Sequence, residues 1–131
     1  MFVLGIDPGL SRCGYGVVEQ VGNKPEAVAI GVIRTPPKAA TANRLAAVHR
    51  EFQELIEEHC PDVVAIERVF FQVNARTAMS VAQVSGLAMA VGAAAGAEVV
   101  EYTPNQVKEA VAGWGNATKE QMQRMVQSLL S

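Results

Sequence analysis

Two apolar runs in this chain end in a carboxylate. Phe2-Val3-Leu4-Gly5-Ile6-Asp7 breaks off at Pro8-Gly9, and Pro61-Asp62-Val63-Val64-Ala65-Ile66-Glu67 repeats the design. Short apolar runs bounded by Pro and Gly read as buried strands. A charge at the last position of such a strand is costly unless it faces a site. Two core strands that deliver two acids to one sheet edge have the layout of a metal-dependent phosphoryl-transfer site. Asp7 and Glu67 are therefore the leading candidates for catalytic and metal-holding residues.

The rest of the chain has to bring those two ends together. Its 131 residues predict a single domain spanning 1–131, long enough to bury a core. Half the residues are hydrophobic, which excludes a disordered chain. A net charge of −2 argues against a uniformly basic binder but leaves room for a local basic groove. Cys13 and Cys60 are far apart in sequence, match no ligand spacing, and read as reduced thiols of a cytoplasmic protein. No secretory signal pattern opens the sequence. The stretch Thr77 to Ala97 carries no charge, but it is built from Ala, Gly, Ser and Gln. It reads as a tightly packed buried helix and not as a membrane span.

The periodicities predict strands over 2–7, 14–20 and 27–34, with a turn at Gly22-Asn23. Short connections make these an antiparallel meander. A helix over 42–59 follows, with Leu45, Val48, Phe52, Leu55 and Ile56 as its apolar stripe and Thr41 or Asn43 as its cap. Pro61 sets its end, and strand 62–67 comes next. A long helix over 75–95 closes on Gly96 as its C′ residue. Strand 98–102, a helix from Pro104 to Ala112 and a last helix from Thr118 complete the order. The fold class is α/β: a mixed five-stranded sheet with helices on both faces. The meander lies on one side of strand 1 and the later strands on the other, so the strand order reverses beside Asp7. Ligands bind at the carboxyl ends of strands at such a switch point.

Other residues suit a polyanionic ligand. Arg12, Arg68, Arg76, Lys108 and Lys119 could form a basic rim for phosphates. Phe70 and Phe71 follow Glu67 closely, and adjacent aromatics on an extended segment point to opposite sides. One exposed aromatic there suits base stacking or wedging. Trp114 is either a DNA-contacting aromatic or a lid on the core. The long helix carries small residues at Ser85, Ala88 and Gly92 and again at Gly86, Ala90 and Ala94. One small face packs on the chain's own sheet, and a second suits a two-fold helix pair. The expectation puts the dimer interface at Ser85, Ala88 and Gly92.

Gly5-Ile6-Asp7-Pro8-Gly9, Gly14-Tyr15-Gly16-Val17 and Ala65-Ile66-Glu67-Arg68-Val69-Phe70 together resemble the RuvC family, Holliday junction resolvases with an RNase H-like fold. Gln106-Val107-Lys108 and the Gly-rich loop before Lys119 extend the resemblance across residues 2–130. It implies that Asp7 and Glu67 are the first two metal-binding carboxylates. Phe70 would contact bases near the junction centre, and Lys108 and Lys119 would lie near the scissile phosphate. It further implies a homodimer that nicks four-way DNA junctions symmetrically in recombination and repair. The ion would be Mg²⁺, with Mn²⁺ as a substitute, and a branch-migration motor complex would be a partner.

The family pattern carries two more metal-site residues on a final helix, and the sequence stops at Ser131 before one. The expectation is thus half a site, which binds one metal weakly and cleaves poorly, and truncation of a longer protein stays open. Three other readings stay open too: a junction-binding module without catalysis, an RNase H-like nuclease on another substrate, and an actin-like ATPase fragment read from Gly-Ile-Asp-x-Gly alone.

Overall fold

The computed structural model describes residues 1–21, 24–68 and 75–102. Within them lie strands β1 (Phe2–Asp7), β2 (Arg12–Val21) and β3 (Lys24–Arg34), helix α1 (Thr41–His59), strand β4 (Val63–Glu67), helix α2 (Ala75–Ala94) and strand β5 (Glu98–Tyr102). The five strands form one sheet in the order β3-β2-β1-β4-β5. β1 pairs antiparallel with β2 and parallel with β4. The mixed sheet and the reversal of strand order beside β1 are those expected. The helices expected from Pro104 to Ala112 and from Thr118 lie outside the described residues. α1 and α2 share one hydrophobic cluster on a single face of the sheet.

Period-two alternation sorts the sheet into two faces. Leu4, Ile6, Cys13, Val17, Val64 and Ile66 point to the helices and are almost wholly buried. α1 brings Val48, Phe52, Leu55 and Ile56 to them, the stripe its sequence spacing marks out. α2 brings Val84, Ala88 and Val91. The intervening residues Val3, Gly5, Asp7, Val63, Ala65 and Glu67 belong to the opposite face. Both acids thus leave the helix-packed side of the sheet.

The starts of three strands are tied together by one residue. The Phe2 N–H donates to Asp62 Oδ2 at 2.9 Å, the Asp62 N–H donates to the Phe2 carbonyl at 2.9 Å, and the Glu98 N–H donates to the Asp62 carbonyl at 2.9 Å. These bonds fix the level of β1, β4 and β5 relative to one another. In consequence Val3 faces Val63 and Ile6 faces Ile66. The site-bearing ends then fall at one height.

Helix ends follow local chemistry, with two departures from expectation. Gly96 has φ +83, its N–H donates to Ala93 O at 3.0 Å, and Ala97 N–H donates to Gly92 O at 3.1 Å. This is the Schellman closure expected of a C′ glycine. α1 is capped by Ala40 without a side-chain hydrogen bond, and neither Thr41 nor Asn43 serves. Thr41 is already helical, so its hydroxyl sits one position too late. The same helix ends on Cys60 in the left-handed region at φ 46, ahead of Pro61.

The two small-residue rows of α2 differ in burial. Ala88 is 1% exposed within the core. A β-carbon on Gly92 would stand 3.0 Å from Val64 Cγ2 and 3.2 Å from Val99 Cγ2. Ala88 and Gly92 therefore serve close packing on the chain's own sheet, and Ser85 beside them is half-buried. The exposed row is Gly86, Ala90 and Ala94, and nothing lies within 4 Å of a β-carbon on Gly86. α2 is also not buried all round. Thr77–Ala94 is long and apolar enough to cross a membrane by length and composition alone, and 28% of it is buried.

Left-handed backbone at a non-glycine residue costs about 1–2 kcal/mol, part of which glycine returns as unfolded-chain entropy. Cys60→Gly is expected to stabilise the protein by about 0.5–1 kcal/mol, read as a higher midpoint in urea unfolding at unchanged slope. An unchanged or lower midpoint contradicts this account of the α1 terminus.

Candidate active site

The strand ends β1, β4 and β5 bring three polar side chains into a row. Asp7 stands one residue past the Ile6–Ile66 pair, level with Glu67. Glu67 in turn faces Tyr102 across the β4–β5 ladder. Asp7 is exposed and Glu67 is half-buried. Burial first, then the negative charge and hydrogen-bonding influence of Asp7, push the Glu67 carboxyl from its ordinary 4.5 up to about 7. The Tyr102 phenol is pushed upward by burial, then by Glu67 and Asp7. It stays neutral and able to donate a hydrogen bond.

Two carboxylates held this close repel each other unless they share a proton or a cation. The donor set is all oxygen, which suits hard divalent ions such as Mg²⁺. Their neighbourhood is kept free of bulk. Gly5 and Ala65 precede the acids by two residues on the same face, and Gly14 pairs with Asp7 across β2. A β-carbon at Gly14 would lie 3.6 Å from Asp7 Cβ, an ordinary contact. At Gly9 it would overlap the Arg12 carbonyl, so the tight turn after Asp7 depends on glycine there. Among the described residues no third His, Cys, Asp or Glu joins a metal-holding group.

The other candidate residues divide. Arg12 opens β2, exposed, directly after the Asp7 turn. Arg68 sits beside the site, but its Nε donates to Glu101 Oε2 at 3.0 Å, so its charge is paired. Arg76 lies in the first turn of α2. Phe70, Lys108, Lys119 and Trp114 lie outside the described residues. Cys13 is buried, and burial lifts its thiol to about 11, which leaves it protonated and inert. Tyr102 was not anticipated. The signal was available, since it ends a predicted strand as Asp7 and Glu67 do, but a tyrosine at a strand end is common.

With this geometry in hand, comparison with known proteins is decisive. A family model described as crossover junction endodeoxyribonuclease RuvC matches residues 3–131. The chain belongs to the RuvC family. RuvC of Salinispora arenicola is 53% identical over 131 residues, covering 99% of this chain and 75% of its own. RuvC of Natranaerobius thermophilus is 44% identical, covering 100% of this chain and 81% of its own. The structure of T. thermophilus RuvC in complex with Holliday junction substrate superposes with a TM-score of 0.89 at 35% identity, covering 99% of this chain and 79% of that one. The mixed RNase H-like sheet is the architecture this chain shares with that structure.

The raised Glu67 pKa has a definite sign. The folded protein holds this proton more tightly than the unfolded chain does. The favourable contribution is present in full below pH 4.5 and is lost as pH rises toward about 7. The thermal midpoint of the metal-free protein should accordingly carry a falling component over that window. Glu67→Gln should remove it and stand roughly 3–6 °C above the parent at pH 8, the equivalent of about 1 kcal/mol after discounting for partial exposure. Calorimetry across pH 4–8 checks this, and equal slopes in both proteins contradict it.

Proposed function

We propose that this chain is a structure-selective endonuclease that hydrolyses phosphodiester bonds at four-way DNA junctions, with Asp7 and Glu67 as its catalytic metal ligands. The observation that carries the reading is the pair of neighbouring carboxylates at the carboxyl ends of two parallel core strands. Mg²⁺, or Mn²⁺ in its place, would be held by those two carboxylates. When bound it would activate water and stabilise the leaving oxygen. The chain's own residues contribute the rest. The β1–β4 ladder fixes the spacing of the acids. Asp62 fixes their level, and Tyr102 presents a neutral donor beside them. Arg12, Arg76, Lys108 and Lys119 are assigned to the DNA backbone and Phe70 to the bases. Arg68 acts through its ion pair with Glu101, which orders the rim.

Metal affinity follows from ligand count. The described residues supply two carboxylates, against the four positive charges of a two-ion site. We therefore assign to these residues a weak first metal site, and a second reading as a binding module keeps its force for as long as no further ligand joins. A synthetic four-way junction separates the two. Magnesium-dependent symmetric nicks that fall by on the order of 100-fold or more in Glu67→Gln, with junction binding retained, support the nuclease. Binding without nicks in the parent chain supports the module, and preferential cleavage of an RNA–DNA hybrid overturns both.

A homodimer is assigned to the outer face of α2. Gly86, Ala90 and Ala94 are exposed there, Met79 is 67% exposed, and no charge interrupts Thr77 to Ala97. An uncharged surface of this length is costly in water and suits a two-fold helix pair. Ala90→Lys should convert the dimer to monomer in sedimentation equilibrium while the far-ultraviolet spectrum stays unchanged. A dimer that survives Ala90→Lys and Gly86→Lys places the interface elsewhere. The same reading assigns the protein to the cytoplasm and to cooperation with a branch-migration motor.

A further inference from the structure

The turn that follows Asp7 is one wall of a cavity of about 420 Å³. Its other walls are the N-terminal turns of α1 and α2, which contribute Arg44, Thr77 and Ser80. The β1–β2 turn contributes Ser11 and Arg12. Among the described residues the lining holds two arginines and three hydroxyls, and no acid. Neither helix carries an acid in its first turn.

Arg44 is held in an unusual way. Its Nε donates to Thr35 Oγ1 at 2.9 Å, and its Nη2 donates to Ser11 Oγ at 2.8 Å. Thr35 is 5% exposed, and its own hydroxyl donates to the Leu10 carbonyl at 2.6 Å. That bond uses the Thr35 proton, so its oxygen can only accept from Arg44. The guanidinium is therefore oriented by neutral groups, and among the described residues no carboxylate pairs with it or with Arg12. A guanidinium has five N–H donors; two are used, which leaves three and the full positive charge. An arginine kept for stability alone is best served by a carboxylate. One fixed by hydroxyls at a cavity wall is prepared for an anion that arrives from outside.

We infer that this cavity is a second phosphate site, in which Arg44 and Arg12 grip a DNA backbone phosphate on the strand that runs past Asp7. The inference rests on the junction-nuclease reading and deepens it. Its physical need is plain. The Asp7–Glu67 pair repels a polyanion before any metal binds, and a fixed cation beside it offsets that repulsion. Because Ser11 directly, and the Leu10 carbonyl through Thr35, tie Arg44 to the turn after Asp7, phosphate capture there also fixes the height of the strand relative to the acids.

The test is the salt dependence of junction binding. A residue that neutralises one phosphate contributes about one unit to the slope of log K against log salt, and a merely structural role leaves that slope alone. Arg44→Gln should weaken binding several-fold and lower the slope by about one, and Arg44→Lys should retain the slope. Thr77 is exposed, so Thr77→Asp brings a negative charge to the mouth without disturbing the Arg44 bonds. It should weaken binding at an unchanged thermal midpoint, which keeps the test valid if Arg44→Gln unfolds. Parent-like affinity and slope in Thr77→Asp and in a folded Arg44→Gln overturn the phosphate site while leaving the nuclease reading intact. If the parent chain binds no junction, the functional reading fails instead. Inorganic phosphate then decides the cavity: thermal stabilisation of the parent that Thr77→Asp abolishes supports an anion site, and none overturns it.

Discussion

Everything at this site depends on the parallel pairing of β1 with β4. A hairpin can set an antiparallel register through its turn, but parallel neighbours need a crossover, and here α1 makes it. The register is held from the far end. Asp62 accepts from Phe2 through its carboxylate, donates to Phe2 through its amide, and accepts from Glu98 through its carbonyl. Five residues later on β4 that register becomes the meeting of Glu67 with Asp7. The meeting is unfavourable in itself, since burial and the neighbouring charge both raise the Glu67 pKa. Leu4, Ile6, Val64 and Ile66, buried on the opposite face of the same two strands, stabilise the ladder against it. The core face supports what the site face strains.

That division explains the distribution of side-chain size. Beside the acids, the face carries Gly5, Gly14, Gly16 and Ala65, none larger than a methyl group. Small residues there leave room for a phosphate and hydrated ion to approach the strand ends. The helix face has the opposite need and is filled with branched residues and Phe52. Gly31 on β3 is the exception on that face, because a β-carbon there would collide with the Tyr15 ring that lies over it.

Much of this was legible in the sequence because it is local. The α1 stripe follows from helical spacing, the α2 terminus from Gly96, and the strand ends from apolar runs stopped by Pro8-Gly9 and Glu67. The topology followed because a meander and a crossover leave few ways to complete one sheet. What was not legible depends on contacts between distant segments. Ala88 and Gly92 look like Gly86 and Ala90 until the tilt of α2 on β4 is known. Arg68 reads as a free cation until Glu101, 33 residues away, is found beside it. Arg44 reads as one more surface arginine in a helix. Only the fold puts it against Thr35, Ser11 and the turn after Asp7.

α2 joins these features into one rigid body. Its inner face closes on Val64 and Val99, so it moves with β4, the strand that ends in Glu67. Its first turn lines the cavity beside Asp7. Its outer face is the uncharged row to which the two-fold pair is assigned. A helix with all three attachments would leave little freedom between the proposed dimer axis, phosphate grip and metal ligands. In a two-fold assembly built on that face, the separation of the two sites is set by helix and sheet packing and not by a loop. Paired incisions on a branched substrate need such a fixed separation, because both sites must meet their strands together. The small residues of α2 then serve one purpose on both faces. They bring β4 close on the inside, and in the proposed two-fold pair they would bring the second copy close on the outside and so shorten the lever between the two carboxylate pairs.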